Sequence, residues 1–600
     1  MSAHRHSWAE CTARERLDAL VDAGSFHEWL PPAERVSSPH LAALGLPQAF
    51  DDGVAVGRAT LDGRPVFVAA QEGGFIGGGV GEVHGAKLCG WLARALRERP
   101  QAVILCADSG GVRLHEANAG LIAVSEVMRA LLDVRAAGIP VIVLIGGAAG
   151  CFGGMGIVAG CADWRVISVT GRLSMSGPEV IEAAHGVEEV DSRDRALVWR
   201  TTGGKHRYLI GDADELVDDD VAAFRAAARA ALDRPPRPND LAARQAEQAL
   251  LMHRLALAGE RREARELWAA MGLADAGRVP DLGVDAVRGL RATLEDAART
   301  GIAGAEQPAR PATATPSATG SADWATLCTA LFGPGHGVQA DGWFLHGTAT
   351  PRGGTQPLAV IGTTDHAPIG AALALRQAAA VLDVLARHPG RAIVLLIDTQ
   401  GQQLRRQDEL LGIHRAMAHL GQCIDLARRR GHRVLGLVYD QALSGGFITS
   451  GLMADACDAL PQAEIRVMRL PAMARVTKLP ESRLAELAQS NPVFAPGVEH
   501  YVAMGGVRRL WRGDLAAALR QALVDVGGED RAGRGVSGAV SAAADGTGGA
   551  GTDGGAAAAD AAATVATTTP TPPDLRARLG AERGGRRLAA TTRDRVLAAP

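Results

Sequence analysis

The strongest constraint on how this chain can fold is a pattern it carries twice, about 290 residues apart (Ala102 against Ala392). In the first copy AVILCADSGGVR (Ala102–Arg113) is followed by a helix-like run and then by PVIVLIGGAAGCFGGMG (Pro140–Gly156). In the second, AIVLLIDTQGQQ (Ala392–Gln403) precedes another helix-like run and HRVLGLVYDQALSGGFITSG (His432–Gly451). Each time an apolar strand ends at an Asp followed by a glycine turn, and a second strand ends at a Gly-Gly pair that opens a helix. Asp108 stands 45 residues before Gly153, and Asp398 stands 47 before Gly445. Repetition on this scale predicts two copies of one domain. Strand–helix–strand alternation predicts an α/β fold with right-handed crossovers. It also places backbone N–H groups at the ends of parallel strands, where anions bind.

The remaining composition narrows the class. With 600 residues, 47% hydrophobic and 22% charged, the chain can bury the cores of two or more domains. A net charge of −3 offers no field for nucleic acid. The eight cysteines are scattered and none forms C-x-x-C, which argues against a zinc ribbon and for a reducing compartment. Cys151 reads as a buried structural thiol before it reads as a nucleophile. The segment MSAHRHSWAECTARERLDAL has no apolar signal-peptide core, and no apolar run reaches the ~18–20 residues of a membrane span. A soluble, cytoplasmic protein is expected. Neither H-E-x-x-H nor G-x-S-x-G occurs, so no metal site and no hydrolase elbow is predicted.

Along the chain, a first domain is expected over 1–303, a Pro/Ala/Thr-rich linker over Gly304–Ser321, and a second domain over 322–526. The tail, 527–600, is expected to be disordered. From Gly527 to Pro573 it is mostly Gly, Ala, Thr, Asp and Pro, and the Arg-rich end reads as a solvated tail in preference to a short helix. In the first domain Val54–Gly57 and Pro65–Ala70 read as a hairpin turning at Asp62-Gly63. Ala117–Ala137 reads as a helix with Leu121, Val124, Met128 and Leu131 on one face. Ile413, Met417, Leu420 and Ile424 do the same in the second copy, up to Gly431.

The candidate chemistry lies at the turns. Gly110, Gly111, Gly153 and Gly154 let a ligand oxygen approach the backbone closely, and two converging N–H groups would form an oxyanion hole for a thioester enolate. Gly401, Ser444, Gly445 and Gly446 occupy the matching places in the second copy. Either motif alone is read as a tight turn; both, in order and in duplicate, favour function. Gly77 and Gly78 sit in a third Gly-rich turn (73–79) that lacks the features of a nucleotide loop and is expected to line the pocket. Glu82, His84, His115, Glu116 and His206 are near these turns in sequence, and each is a possible proton source for a carbanion. Lys205 and His206, in the basic loop 203–207, could meet a phosphate or an acidic carrier.

The order DSGGVR, PVIVLIGGAAGCFGGMG, GCADWRVIS and SGPEVIE (Ser176–Glu182) resembles the carboxyltransferase branch of the crotonase superfamily. More narrowly, AAQEGGFIGGGVGEVHGAKL (Ala69–Leu88) and DSRDRALVWRTTGGKHRYL (Asp191–Leu209) are similar to the β subunit of biotin-independent malonate decarboxylase. DTQGQQLRRQDELLGIHRAMAHL (Asp398–Leu420), LVYDQALSGGF (Leu437–Phe447), VMRLPAMARVTK (Val467–Lys478) and NPVFAPGVEHY (Asn491–Tyr501) are similar to its γ subunit. The resemblance implies two tandem crotonase-like (ClpP/crotonase) domains, each a ββα superhelix, here fused in one chain. It implies decarboxylation of malonyl-[acyl-carrier-protein] to the acetyl thioester and CO2, with no tightly bound cofactor. The substrate would ride on the carrier's phosphoribosyl-dephospho-CoA arm. It further implies a carrier-protein (δ) partner, an acyl-carrier-protein transferase (α) partner and a homodimer of fused chains. In this reading Gly111 and Gly153 hold the thioester oxygen, and Gly401 with Ser444–Gly446 closes over the carboxylate. Which residue protonates the enolate stays open. A biotin-dependent acyl-CoA carboxyltransferase, a malonyl- or methylmalonyl-CoA decarboxylase and a non-catalytic scaffold for a carrier protein are the competing expectations.

Overall fold

The computed structural model describes residues 6–301, 323–532 and 573–600. The expected linker 304–321 and residues 533–572 of the expected tail lie outside the described residues.

Two sheets dominate. The first runs in sequence order: His27–Trp29, Val54–Leu61, Arg64–Gln71, Ala102–Ala107, Val141–Ile145, Trp164–Ser168 and Glu215–Val217. Its first three strands pair antiparallel and the rest parallel. The second has the spatial order Ala456–Ala459, Val434–Leu443, Ile393–Gln402, Leu358–Thr363, Phe344–Ala349, Gly337–Asp341. Short strands Ala367–Ile369 and Glu464–Arg466 attach to Ile393–Gln402 and Val434–Leu443.

The central parallel strands are apolar runs because both of their faces are covered. Alternate residues separate cleanly: Ile104, Cys106, Ile142 and Leu144 pack with Trp8, Leu17 and Phe224 on the outer side. Val103, Leu105, Val143 and Ile145 face inward. In the second sheet Val394, Leu396, Leu435 and Leu437 pack outward with Leu331, Trp511 and Leu519, while Ile393, Leu395 and Val438 face inward. The two inward faces and the helices between them share a single core. At the crossing of the Gly153–Gly160 and Ile413–Arg429 helices, a Cβ on Gly160 would come within 2.7 Å of the Ala418 Cβ. The Leu241–Ala258 helix also leaves its own sheet to pack on Ala371–Arg387 and Ile413–Arg429.

The last 28 described residues overturn the expectation of a solvated tail. Arg576–Glu582 and Ala589–Ala598 are helices, and the second packs along Glu82–Glu98. Arg586 is fully buried and holds both oxygens of Glu126 at 2.8 and 2.6 Å, while its Nε donates to Met504 O. Glu82 Oε1 accepts the N–H groups of Leu588 and Ala589 and so caps the final helix. Arg583 donates to the Val502 and Val507 carbonyls, which lie in the second half. Two arginines that look solvent-seeking in the sequence, Arg576 and Arg586, are buried and pair with Asp574 and Glu126. Residues 527–532, also assigned to the tail, continue the Leu515–Ala532 helix.

Candidate active site

Both copies build the same turn. Gly111 has φ +102° and Gly401 φ +97°, and each N–H is held by the hydroxyl two residues earlier: Ser109 Oγ at 3.1 Å, Thr399 Oγ1 at 3.0 Å. Gly153 (φ +57°) and Ser444 (φ +48°) begin the facing helices, behind extended Phe152 and Leu443. By this backbone match Gly153 corresponds to Ser444 and Gly154 to Gly445, one residue off the alignment of the Gly-Gly pairs. Ser444, a non-glycine in the left-handed region, carries strain of order 1 kcal/mol.

The positive-φ glycines shape the turn without supplying its donors. Gly110 N–H donates to Gly77 O at 2.8 Å, Gly111 N–H to Ser109 Oγ, and Gly153 N–H to Met175 O at 2.8 Å. Those three predicted donors are therefore already used. Gly154 N–H, in the first helical turn where no intrahelical acceptor exists, meets no acceptor among the described residues. The same holds for Val112 N–H, which the sequence reading did not single out. A Cβ on Gly111 would lie 3.2 Å from the Gly154 nitrogen, so only glycine leaves that donor uncovered.

The second copy differs in what covers its helix N-terminus. Gln402 stands where the first copy has Val112, and its Oε1 accepts the Gly445 N–H at 3.2 Å. Gly401 N–H is likewise used, so neither is open to a carboxylate as expected. Gly446 N–H, third in its helix, has no acceptor among the described residues.

The two sites are brought together by residues 174–176. Glu409, fully buried in Arg406–Leu411 of the second half, accepts from Ser174 Oγ, from Met175 N at 3.0 Å and from Ser176 N at 2.6 Å. Burial pushes its carboxyl up, against these hydrogen bonds and the nearby Arg207. Met175 then uses its carbonyl on Gly153 N–H, and its Cε lies 2.5 Å from where a Cβ of Gly445 would be. One loop thus touches both turns.

Other predicted residues lie elsewhere. Gly77 and Gly78 (φ +62° and +63°) pack on the Asp108 turn, where a Cβ on Gly78 would overlap Asp108 O. Asp108 is buried against Arg16 at 2.8 Å and accepts Ala149 N–H. His84 is buried between Gln71 and the Asp52 carbonyl, and burial lowers it to about 3. His206 is buried between Leu410 O and Trp268 Nε1, and burial lowers it to about 3 as well. The basic loop is in fact the Gly204–Leu209 helix; Lys205 Nζ donates to Pro280 O, and buried Arg207 pairs with Asp212. His206 and Arg207 are fully buried and out of reach of a phosphate, while Lys205 stays half-buried. Glu82 and Glu116 spend both oxygens inside the fold. His115 keeps a buried Nδ1 with no partner among the described residues, and burial lowers its pKa. Cys151 is a buried free thiol pushed above its usual range. Where no metal site was expected, His366, Asp398 and Asp440 offer ligand atoms within 4.8 Å of one another, a set that could hold a cation. Among the described residues no helix is long and apolar enough to cross a membrane.

Two stacked, pseudo-equivalent carboxyltransferase-type domains with facing glycine turns define the class. Known proteins agree: residues 4–249 match the carboxyl transferase domain family and residues 364–546 the malonate decarboxylase gamma subunit family. Over 243 residues the chain is 46% identical to the Malonyl-S-ACP:biotin-protein carboxyltransferase MADC of Malonomonas rubra, covering 38% of this chain and 76% of that protein. It is 36% identical over 123 residues to MADD of the same organism, covering 20% of this chain and 42% of MADD. A subunit of a Pseudomonas malonate decarboxylase hetero-tetramer, solved with malonate, is 40% identical, covering 44% of this chain and 98% of that one at a TM-score of 0.42. The chain belongs to the malonate decarboxylase family of carboxyltransferase proteins, with β-like and γ-like parts joined in one polypeptide.

Proposed function

We propose that the chain decarboxylates a malonyl thioester held on an acyl carrier protein, giving the acetyl thioester and CO2 without biotin. The observation that carries this reading is the pair of open donors, Val112 N–H, next in the chain to Gly111, and Gly154 N–H, 3.2 Å from where a Cβ of Gly111 would stand. The thioester oxygen would sit on these donors. When the C–C bond to the carboxylate breaks, its electron pair passes into the thioester, and the charge gathers on that oxygen, where fixed dipoles stabilise it. CO2 leaves and the α-carbon takes a proton. Enclosure between the halves holds the C–C bond towards the π-system and excludes water. The second half would act on the carboxylate through its own turn, Gln400–Gln402, with Gly446 N–H behind it.

The further parts of the reading are a substrate arm of the phosphoribosyl-dephospho-CoA kind, carrier (δ) and transferase (α) partners, pairing of two fused chains, domains meeting near 304–321, and a cytoplasmic setting. The relatives' names include a biotin protein as acceptor, and this makes transfer the second reading. One experiment separates the two: incubate the full chain with malonyl carrier protein, and separately with malonyl-CoA, without biotin, and measure CO2. Release from either supports the lyase; no release from both, with transfer when a biotin protein is added, replaces it with the transferase.

A further inference from the structure

The two turns match in their positive-φ glycine, its hydroxyl partner, the left-handed residue behind it and the extended residue before the helix. The residue after the glycine breaks the match. The Val112 side chain has no polar atom and leaves Gly154 N–H open. Gln402 is half-buried and places its amide oxygen 3.2 Å from Gly445 N. Around the same point stand Met175 from the first half and Met417, whose Cε atoms lie 2.5 and 3.0 Å from the position of a Gly445 Cβ. The amide oxygen is therefore a carbonyl supplied by the chain itself, sitting where an incoming carbonyl would have to bind to reach the Gly445 N–H.

We propose that Gln402 closes the second turn against carbonyl ligands, and that this residue restricts the chain to releasing CO2. Resting on the decarboxylase reading, this deepens it by naming what is shut out: an acceptor of the cyclic-urea class. Transfer to such an acceptor would break the malonyl C–C bond, form an N–C bond to the urea, and move the urea proton to the α-carbon. An unseated urea takes no part, and the proton must come from elsewhere.

The test uses the full chain and the small cyclic urea 2-imidazolidone, with binding followed by saturation-transfer NMR so that no turnover is needed. Wild type should bind it no more than background. Gln402→Val, which copies the first turn, should bind it about tenfold or more tightly, as expected for one recovered hydrogen bond. Gln402→Glu retains an acceptor for Gly445 N–H and should behave as wild type. Equal binding by wild type and Gln402→Val overturns the proposal. So does absence of binding by a Gln402→Val protein whose unfolding midpoint matches wild type. Failure of the decarboxylase reading would appear separately, as no CO2 from malonyl thioesters with wild type.

Discussion

Glu409 offers the sharpest test of how the halves cooperate. Its carboxylate satisfies two buried N–H groups, of Met175 and Ser176, and the Ser174 hydroxyl. The hydroxyl has a fallback acceptor in Ser176 O at 3.4 Å, but the two N–H groups have none among the described residues. Glu409→Ala therefore orphans two buried donors at about 1–3 kcal/mol each. Relief of the carboxylate's own burial, which raises its pKa, offsets part of that. A net loss of about 2–4 kcal/mol follows from these terms. Glu409→Gln keeps one oxygen for Met175 N and Ser174 Oγ but turns an amide N–H towards Ser176 N–H, so it orphans one donor and costs about 1–3 kcal/mol. Met175 O seats Gly153 N–H directly before the open donor at Gly154, so kcat should fall further than KM rises in both variants. Urea unfolding midpoints and CO2 release, read on the same samples, check both effects. An alanine variant as stable and as active as wild type refutes the argument, as does a glutamine variant worse than alanine.

Other outcomes follow from the same structure. A Cβ at residue 154 would lie 2.4 Å from Val124 Cγ1, so the donor is best tested with that space opened. Gly154→Pro with Val124→Ala should lower CO2 release roughly 10²–10³-fold, while Gly154→Ala with Val124→Ala, which keeps the N–H, should not. Arg586→Ala leaves Glu126 buried and unpaired and should destabilise by about 3–5 kcal/mol in chemical unfolding, with Arg586→Met plus Glu126→Leu recovering most of it. Asp408 is raised by burial from 3.8 to about 7. Its folded pKa exceeds its unfolded one, so its contribution is fully present below about pH 4 and is lost as pH rises through about 7. The side chain is partly exposed, which reduces the full linkage to about 2–4 kcal/mol. Asp408→Asn keeps an oxygen for Ala371 N–H and should gain on wild type in unfolding midpoint from pH 4 to pH 8; parallel profiles would show that Asp408 ionises freely.

Much of the fold was readable because apolar strands, Asp-bounded turns and glycine stops are local signals. The 117–136 and 413–429 helices and the 54–71 hairpin lie where periodicity puts them. The site was readable only to the nearest residue. Glycine in a sequence marks where the backbone needs φ > 0, as at Gly111 and Gly153; of the two open donors, Gly154 was among the glycines singled out, whereas Val112 carries no such mark. Proximity in sequence also misled for His84 and His206, since closeness to a turn carries no information about burial. The docking of 573–600 depends on Glu82, Ser125 and Glu126, more than 440 residues away, and no local pattern announces such partners. Glu409 was legible as part of a motif but not as a bridge, because its three partners belong to the other half.

The shared central core and the terminal helices have a kinetic consequence. In relatives whose β-like and γ-like parts are separate molecules, the pairing obeys a dissociation constant and weakens on dilution. Here both partners lie on one polypeptide, so their meeting is governed by an effective concentration of millimolar order that dilution does not change. The Arg576–Ala598 segment adds a second intramolecular tether, through Glu126 on one side and the Met504 carbonyl on the other. Activity per chain should therefore stay constant at concentrations where a two-subunit assembly would have come apart.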